Sequence, residues 1–584
     1  MKHHFFYLFI GLSALFSCSS SEEQLDPSTQ NWETVFEKTE GKETFTYQEG
    51  IDYLKKLEKY YPSLHVLEFG SSDAGYPLHL GIYTPDLNFL PDDLKEKNVV
   101  LINNAIHPGE PDGVDATFML IRNLLEGKED LELKNTIVAF IPFYNIGGAL
   151  NRNSGTRANQ EGPTSYGFRG NAQNLDLNRD FIKMDSKNMK TFAEIFHLIH
   201  PDLFIDTHVS NGADYQYTLT YLSSHEGKLG KVGELVKEKM NPFLSKSMLK
   251  EGWPIVPYVN VWGTTPDKGY TQFYDSPRYS SGYAALFNVP SYVVETHMLK
   301  PFKQRTEATY QFLKGALLFL EQHGKELKNT IAQEREYQLN STYLPIGWEL
   351  SKENPDTLEF KGYEGKTVKS EVSGLDRLFY DRTKPYTKKV PFYTGLTVID
   401  SVKVPAAYIL PKGFEKVVHL LEQNGIRVEE LPSDMEQQVM VTYIEDYKTV
   451  KSPYEGHYLH YDIKTSEREE TIRFLKGDYL IKMDNQPKRF LVETLTARAQ
   501  DSYFAWNFFD AVLQQKEHFS SYVFEDKAAK MLKDSPELYK ELQEEKKRSP
   551  EMRKSAYKQL NFIYDRSNHK EKSFKRYPVF SVYH

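Results

Sequence analysis

The sequence predicts an α/β fold. Residues 36–330 read as a mixed, mostly parallel sheet with helices on both faces, followed by a β-rich region with a small α/β element and then a helical tail. Three observations carry this reading. Up to about residue 330, apolar runs of strand length alternate with longer segments of helical periodicity, the pattern of a parallel sheet covered on both sides. Over 331–500 short strand candidates separated by turns take over, with one strand–helix–strand stretch at 405–435. From 501 to 584 the pattern is charged and helical, as in DSPELYKELQEEKKRSPEMRKSAYKQL. The length, 584 residues, exceeds one ordinary core at roughly 100–200 residues per domain, so two or three domains are expected.

At the amino terminus, Lys2 precedes an almost wholly apolar run from Phe5 to Phe16. That run is too short to span a bilayer and reads as the apolar part of a signal peptide. It ends in Leu15-Phe16-Ser17-Cys18, which resembles the lipobox of bacterial lipoproteins, and Cys18 is the one cysteine of the chain. Residues 1–17 are therefore expected to be a cleaved signal and 18–35 a polar tether. Lipidated Cys18 would anchor the protein to a membrane of the bacterial cell envelope, on the periplasmic face or the cell surface.

The body then reads in order. YQEGIDYLKKLEKYYP is a helix, and LHVLEFG, GYPLHLGIYT and NVVLINNAIHP are strands. GVDATFMLIRNLLEG is a helix that stops at Gly127. TIVAFIPFYN is a strand, NMKTFAEIFHLIH a helix, PDLFIDTH a strand and GKLGKVGELVKEKMNPFLSKSML a helix. NVPSYVVETHM is an apolar strand, and TEATYQFLKGALLFLEQHGKEL closes the unit as a helix. The aromatic run SYFAWNFFDAV is helical in composition and reads as core, because aromatics dominate buried packing.

Composition narrows the function. A hydrophobic fraction of 40% with 26% charged residues builds a sizeable core and excludes a mainly disordered chain. A net charge of -9 gives no basic face for nucleic acid. One cysteine excludes an intrachain disulfide framework or a cysteine-based zinc cluster.

Among 17 histidines, His-x-x-Glu occurs at His65/Glu68, His107/Glu110, His323/Glu326 and His419/Glu422. The spacing alone says little, but context separates the four. Residues three apart in a strand point to opposite faces, which removes His65/Glu68. The pairs at 323 and 419 lie on helices, where they form solvated faces. His107/Glu110 sits in the turn HPGEPDG just past an apolar strand, where catalytic groups of open α/β sheets collect. A catalytic zinc needs three protein ligands and an open position, and His208, ending the strand PDLFIDTH, offers the third. Other strand ends carry Asp176, Asn178 and Arg179, in NLDLNRDF, and Glu295, in PSYVVETHM. A carboxylate at the end of so apolar a strand is costly unless it is paired or functional.

In order, HPGE, RGNAQNLDLNR, a strand ending DTH and an apolar strand ending ET resemble the zinc carboxypeptidase family, the carboxypeptidase A-like metallopeptidases, over roughly residues 40–325. The resemblance implies one Zn2+ per chain held by His107, Glu110 and His208, with Glu295 as the catalytic carboxylate. It implies Arg169, rather than Arg152 or Arg157, as the arginine that polarises the scissile carbonyl. It implies Asn178 and Arg179 as the grip on a substrate's terminal carboxylate, and Asp176 as the partner that orients the first zinc histidine. Family members place a mobile tyrosine about twenty residues before the catalytic glutamate. Tyr274 is the best-spaced match among Tyr270, Tyr274, Tyr279 and Tyr283.

The expected function is thus a zinc metallocarboxypeptidase acting on peptides with a free C-terminus. Two alternatives accompany it: a related zinc amidase or deacylase acting on cell-wall peptides or acyl amino acids, and an inactive envelope protein that binds peptides or glycans. The last predicts at least one eroded ligand or base, whereas all of the residues just named are present.

Overall fold

Residues 25–84 and 93–583 are described by a computed structural model. Cys18 and the signal-like segment lie outside them. Nine strands belong to the first half: β1 (Leu64–Phe69), β2 (Leu78–Tyr83), β3 (Asn98–Asn103), β4 (Thr136–Ile141), β5 (Leu203–Ser210), β6 (Leu219–Ser223), β7 (Ile255–Pro257), β8 (Tyr270–Thr271) and β9 (Ser291–His297). All but β8 form one sheet in the order β1-β2-β4-β3-β5-β9-β6-β7. The central run β4-β3-β5-β9 is parallel, and antiparallel strands flank it. Every residue of β3, β4 and β5 is buried, which is why these strands read as continuous apolar runs rather than alternating ones.

Helices cover both faces. They include α1 (Tyr47–Tyr60), α2 (Asp112–Leu125), α3 (Lys187–Ile199), α4 (Asn241–Lys250), α5 (Ser280–Leu286) and α6 (Phe302–Asn340). Helix α1 starts with a capping box, Thr46 and Glu49 each closing on the other's backbone. Gly113 lets the start of α2 press against β5, since a Cβ there would lie 2.0 Å from Thr207 Oγ1. Helix α6 continues without a break from the first half to Asn340, past the boundary expected near 330. The segment expected as a tether to residue 35 is docked at its end. Trp32 is buried, its carbonyl accepts from Arg122, and Glu37 forms a two-pronged ion pair with that same guanidinium.

The second half is β-rich, as expected. Strands β10 (Tyr343–Leu350) and β13 (Leu396–Lys403) pair, and β11 (Asp356–Lys369) and β12 (Asp376–Tyr393) form a long hairpin that joins β8. A six-stranded sheet takes in β14 (Ala407–Leu410), β15 (Glu429–Glu430), β16 (Met435–Thr449), β17 (His460–Phe474), β18 (Tyr479–Lys482) and β19 (Phe580–Val582), in the order β15-β18-β14-β19-β16-β17. The α/β element expected at 405–435 is β14, α7 (Glu415–Gln423) and β15. Helix α8 (Lys488–Leu495) packs on the first half. The helical tail is present over Ser521–Tyr564, around its own small core of Phe524, Leu542, Leu560 and Ile563. It is followed by β19, which returns to the sheet.

Three details depart from the expected elements. Strands β6 and β7 were not legible as strands. The helix expected over 227–249 is broken at Gly230, whose φ is +53°. The aromatic run is core but not helix. Tyr503, Phe504, Trp506 and Phe509 are fully buried in a series of turns, with Asp501 and Asn507 in the left-handed region. At those spacings one helix would point the four rings all around its axis, so only a folded-back backbone brings them to one side.

Candidate metal centre

The carboxyl ends of three neighbouring parallel strands build the site. Strand β3 leads into the turn that carries His107 and Glu110. Strand β5 carries His208 near its end, and β9 sets Glu295 directly in register beside His208. Single ligand atoms of His107, Glu110 and His208 all lie within 4.8 Å of one another, and all three side chains are buried.

The hydrogen bonds orient both imidazoles. His107 Nε2 lies 2.9 Å from Asp176 Oδ1, and His208 Nε2 lies 2.9 Å from Asp206 Oδ2. With Nε2–H donated to a carboxylate, each Nδ1 keeps its lone pair for the centre of the cluster. His107 Nδ1 is buried, lies 3.2 Å from Glu110 Oε1, and makes no hydrogen bond among the described residues. A buried nitrogen of this kind calls for a partner, and two imidazole nitrogens with a carboxylate oxygen form the donor set that suits zinc.

Charge accumulates around the cluster. Glu110 Oε2 accepts from the Val209 amide at 2.8 Å and Oε1 meets Arg157 at 2.6 Å. Burial alone would raise its carboxyl, but Arg157 and the two histidines outweigh burial and hold it well below the usual range. Burial would likewise lower His208, yet Asp206 and Glu110 hold it well above its ordinary value. Asp176 is kept far down against the effect of burial by His107, Arg169 and Arg179. Glu295 is pushed up to about 8, first by burial and then by Glu110 and Asp206, with His208 opposing.

Arg169, Asn178 and Arg179 surround this centre. Arg169 grips Asp176 Oδ2 at 2.8 and 3.0 Å, comes within 3.6 Å of Glu110, and feels the charge of Glu295. Asn178 accepts from the Ser280 amide. Arg179 donates to the Asn178 carbonyl, and its guanidinium stacks over the Tyr279 ring at 4.5 Å. The structure does not bring Tyr274 to the cluster. Its ring packs on the Lys228 ammonium at 4.1 Å and beside His225. Tyr258 feels the charges of Glu295 and Glu110, and burial and those charges push its hydroxyl up.

Four residues beyond the expected set shape the site. Asp206 had a signal, because residues two apart in a strand share a face, so D-x-H aligns carboxylate and imidazole. Arg157, Tyr258 and Glu455, whose carboxylate accepts from the Asp176 amide at 2.7 Å, had none, since they reach the site from loops. The other three His-x-x-Glu pairs bring no third ligand atom into such a cluster among the described residues.

Comparison with known proteins agrees with this geometry. A family model described as zinc carboxypeptidase matches residues 51–203, a span that includes His107, Glu110, Arg169 and the 176–179 turn. Carboxypeptidase 2 of Trichophyton rubrum is 21% identical over 422 residues, covering 69% of this chain and 72% of its own length. Among solved structures, a metallo-carboxypeptidase from Burkholderia cenocepacia is 17% identical with a TM-score of 0.37, covering 48% of this chain and 70% of its own. Carboxypeptidase A from Helicoverpa armigera is 15% identical with a TM-score of 0.34, covering 57% of this chain and 81% of its own. The matched segment ends at the strand that supplies the third ligand, and the sheet carries that strand to the other two; residues 51–203 match the zinc carboxypeptidase family, and the chain carries a cluster that can hold one metal ion.

Proposed function

We propose that this protein hydrolyses the C-terminal peptide bond of substrates bearing a free carboxylate, with His107, Glu110 and His208 as the zinc ligands. The register of Glu295 beside His208 is the observation that carries the reading, because it sets a carboxylate of raised proton affinity next to the ligand cluster. When bound, zinc supplies Lewis-acid polarisation of the carbonyl and acidifies water. Glu295 accepts the proton of the attacking water and passes it to the leaving amine. Its affinity suits that double duty, and a cation at the cluster draws it down from about 8. Arg169 donates to the oxyanion as it develops. Asn178 and Arg179 hold the terminal carboxylate; Arg179 does so as a planar fork against the Tyr279 ring. Asp176 and Asp206 fix the two imidazoles, and Tyr258, which feels the charges of Glu295 and Glu110, takes the role expected of Tyr274.

The test compares kcat/KM for a peptide and its C-terminal amide with the zinc-loaded full chain. Release of the last residue from the acid, with a preference over the amide of about 10-fold or more, is the expected result. Equal cleavage of acid and amide moves the reading to a zinc amidase. Bound zinc with no hydrolysis moves it to a binding protein. Membrane attachment through Cys18 belongs to the same proposal, and Cys18→Ser is expected to release the protein from the membrane fraction.

A further inference from the structure

The turn that carries Asp176, Asn178 and Arg179 is held from outside the catalytic half. Asp176 spends its side chain on His107 Nε2, the Asn178 amide and Arg169. Its own amide donates to the carboxylate of Glu455, a residue 279 positions away. Glu455 sits at the tip of the β16–β17 hairpin, in a two-residue turn closed by hydrogen bonds between Tyr454 and His457. Both central residues are left-handed, Glu455 at φ +49° and Gly456 at +82°. A glutamate in that conformation is strained, and here the turn aims its side chain at the catalytic half. Close by, His457 meets Asp185 at 2.8 Å.

The ring that meets Arg179 is held in the same way. Arg278 is clamped by Asp501 at 2.5 Å, and its guanidinium lies over the rings of Tyr454 and Trp506. The next residue, Tyr279, is the ring on which Arg179 stacks. Residues of the second half therefore fix both the turn that bears Arg179 and the ring that covers it.

We propose that Glu455 is a positioning residue of the active site: through the Asp176 amide it sets the 176–179 turn, so that the β16–β17 hairpin is a working part of the carboxylate-binding end of the cleft. The role of Arg179 in this inference rests on the proposed function, whereas the link to His107 does not.

The experiment compares Glu455→Ala and Glu455→Gln with the unmodified full chain. Glutamine keeps an oxygen acceptor for the Asp176 amide and alanine keeps none. Three quantities are read: amide exchange of the 174–180 segment in the metal-free protein, the zinc dissociation constant, and KM and kcat on a free-acid peptide. For Glu455→Ala we expect faster exchange, zinc binding weakened severalfold, KM raised about 10-fold and kcat within about twofold, with melting temperature unchanged. Glu455→Gln is expected to recover most of each loss. Unchanged exchange and zinc affinity in Glu455→Ala would overturn the proposal, and so would a glutamine variant as impaired as alanine. If the unmodified chain cleaves no free-acid peptide, the carboxypeptidase reading fails while exchange and zinc affinity still decide the role of Glu455.

Discussion

Asp176 and Asp206 do the same work for two histidines, and their removal is expected to have the same signature. Each accepts from an imidazole Nε2 at 2.9 Å. Loss of such an outer partner typically weakens metal binding about 10–100-fold. Competition titration with a zinc chelator should show that drop for Asp206→Ala as well as Asp176→Ala; an Asp206 variant with the affinity of the unmodified chain would leave His208 oriented by something else. Glu295→Gln is expected to keep zinc and fold but lose turnover by about 10²–10⁴-fold, since the amide accepts no proton. Metal analysis beside initial rates checks both halves of that statement. At this scale the sequence reveals residues that sit in a strand or next to one. His107, Glu110, His208 and Glu295 are legible because strand ends converge in an open sheet. Spacing from Glu295 favours Tyr274 and does not raise Tyr258, because the path of the 255–280 loop depends on pairing of β8 with a hairpin more than a hundred residues on.

The elements most faithfully predicted are those whose pattern follows from burial on both faces. Strands β3, β4, β5 and β9 are of this kind, whereas β6 and β7 are short and partly exposed. The loop between β7 and α5 has its own acid-sensitive joint. His225 is buried, its Nε2–H donates to the Phe273 carbonyl, and its Nδ1 has no hydrogen-bond partner among the described residues. Burial, opposed by Asp275 and aided by Lys228, pushes it down to about 4. A base depressed in the folded state contributes its full stability above the unfolded value of about 6.5, and loses it as pH falls towards 4. From this group alone the loss is on the order of 1 kcal/mol at pH 5.5 and 2–3 kcal/mol at pH 4.5. Denaturant unfolding between pH 7.5 and 4.5 should show this slope, and His225→Gln should flatten it; identical profiles would mean that the imidazole is hydrated.

For the whole molecule, the division into a catalytic half and an accessory half does not correspond to two cores. One continuous apolar cluster runs from Trp32 through the central sheet to Tyr408, Phe490, Trp506 and Tyr577. Buried Arg489 of α8 pairs with Glu493 and donates to the carbonyl of Ala285 in the first half. A chain cut after residue 340 would expose this surface and leave Lys228 and Asp275 without their cover. Such a fragment is expected to lose near-ultraviolet circular dichroism and to bind a hydrophobic dye, while the full chain unfolds in one transition. A fragment that melts cooperatively would show two independent domains. The sequence could not reveal this unity. The change of texture near residue 330 marks where the strand pattern changes, whereas the joint is made by buried aromatic rings and ion pairs whose partners are far apart in the chain.

The place of β19 bears on how the protein is made. It lies between β14 and β16 and hydrogen-bonds to both, so without it the six-stranded sheet falls into two pieces. The piece set loose is the β16–β17 hairpin, which carries Glu455. On the ribosome, β19 emerges after the hairpin and after the whole helical segment that follows it. The order of synthesis thus acts as a timer: the hairpin that steadies the ligand residues is locked down only when almost the whole described chain has been translated.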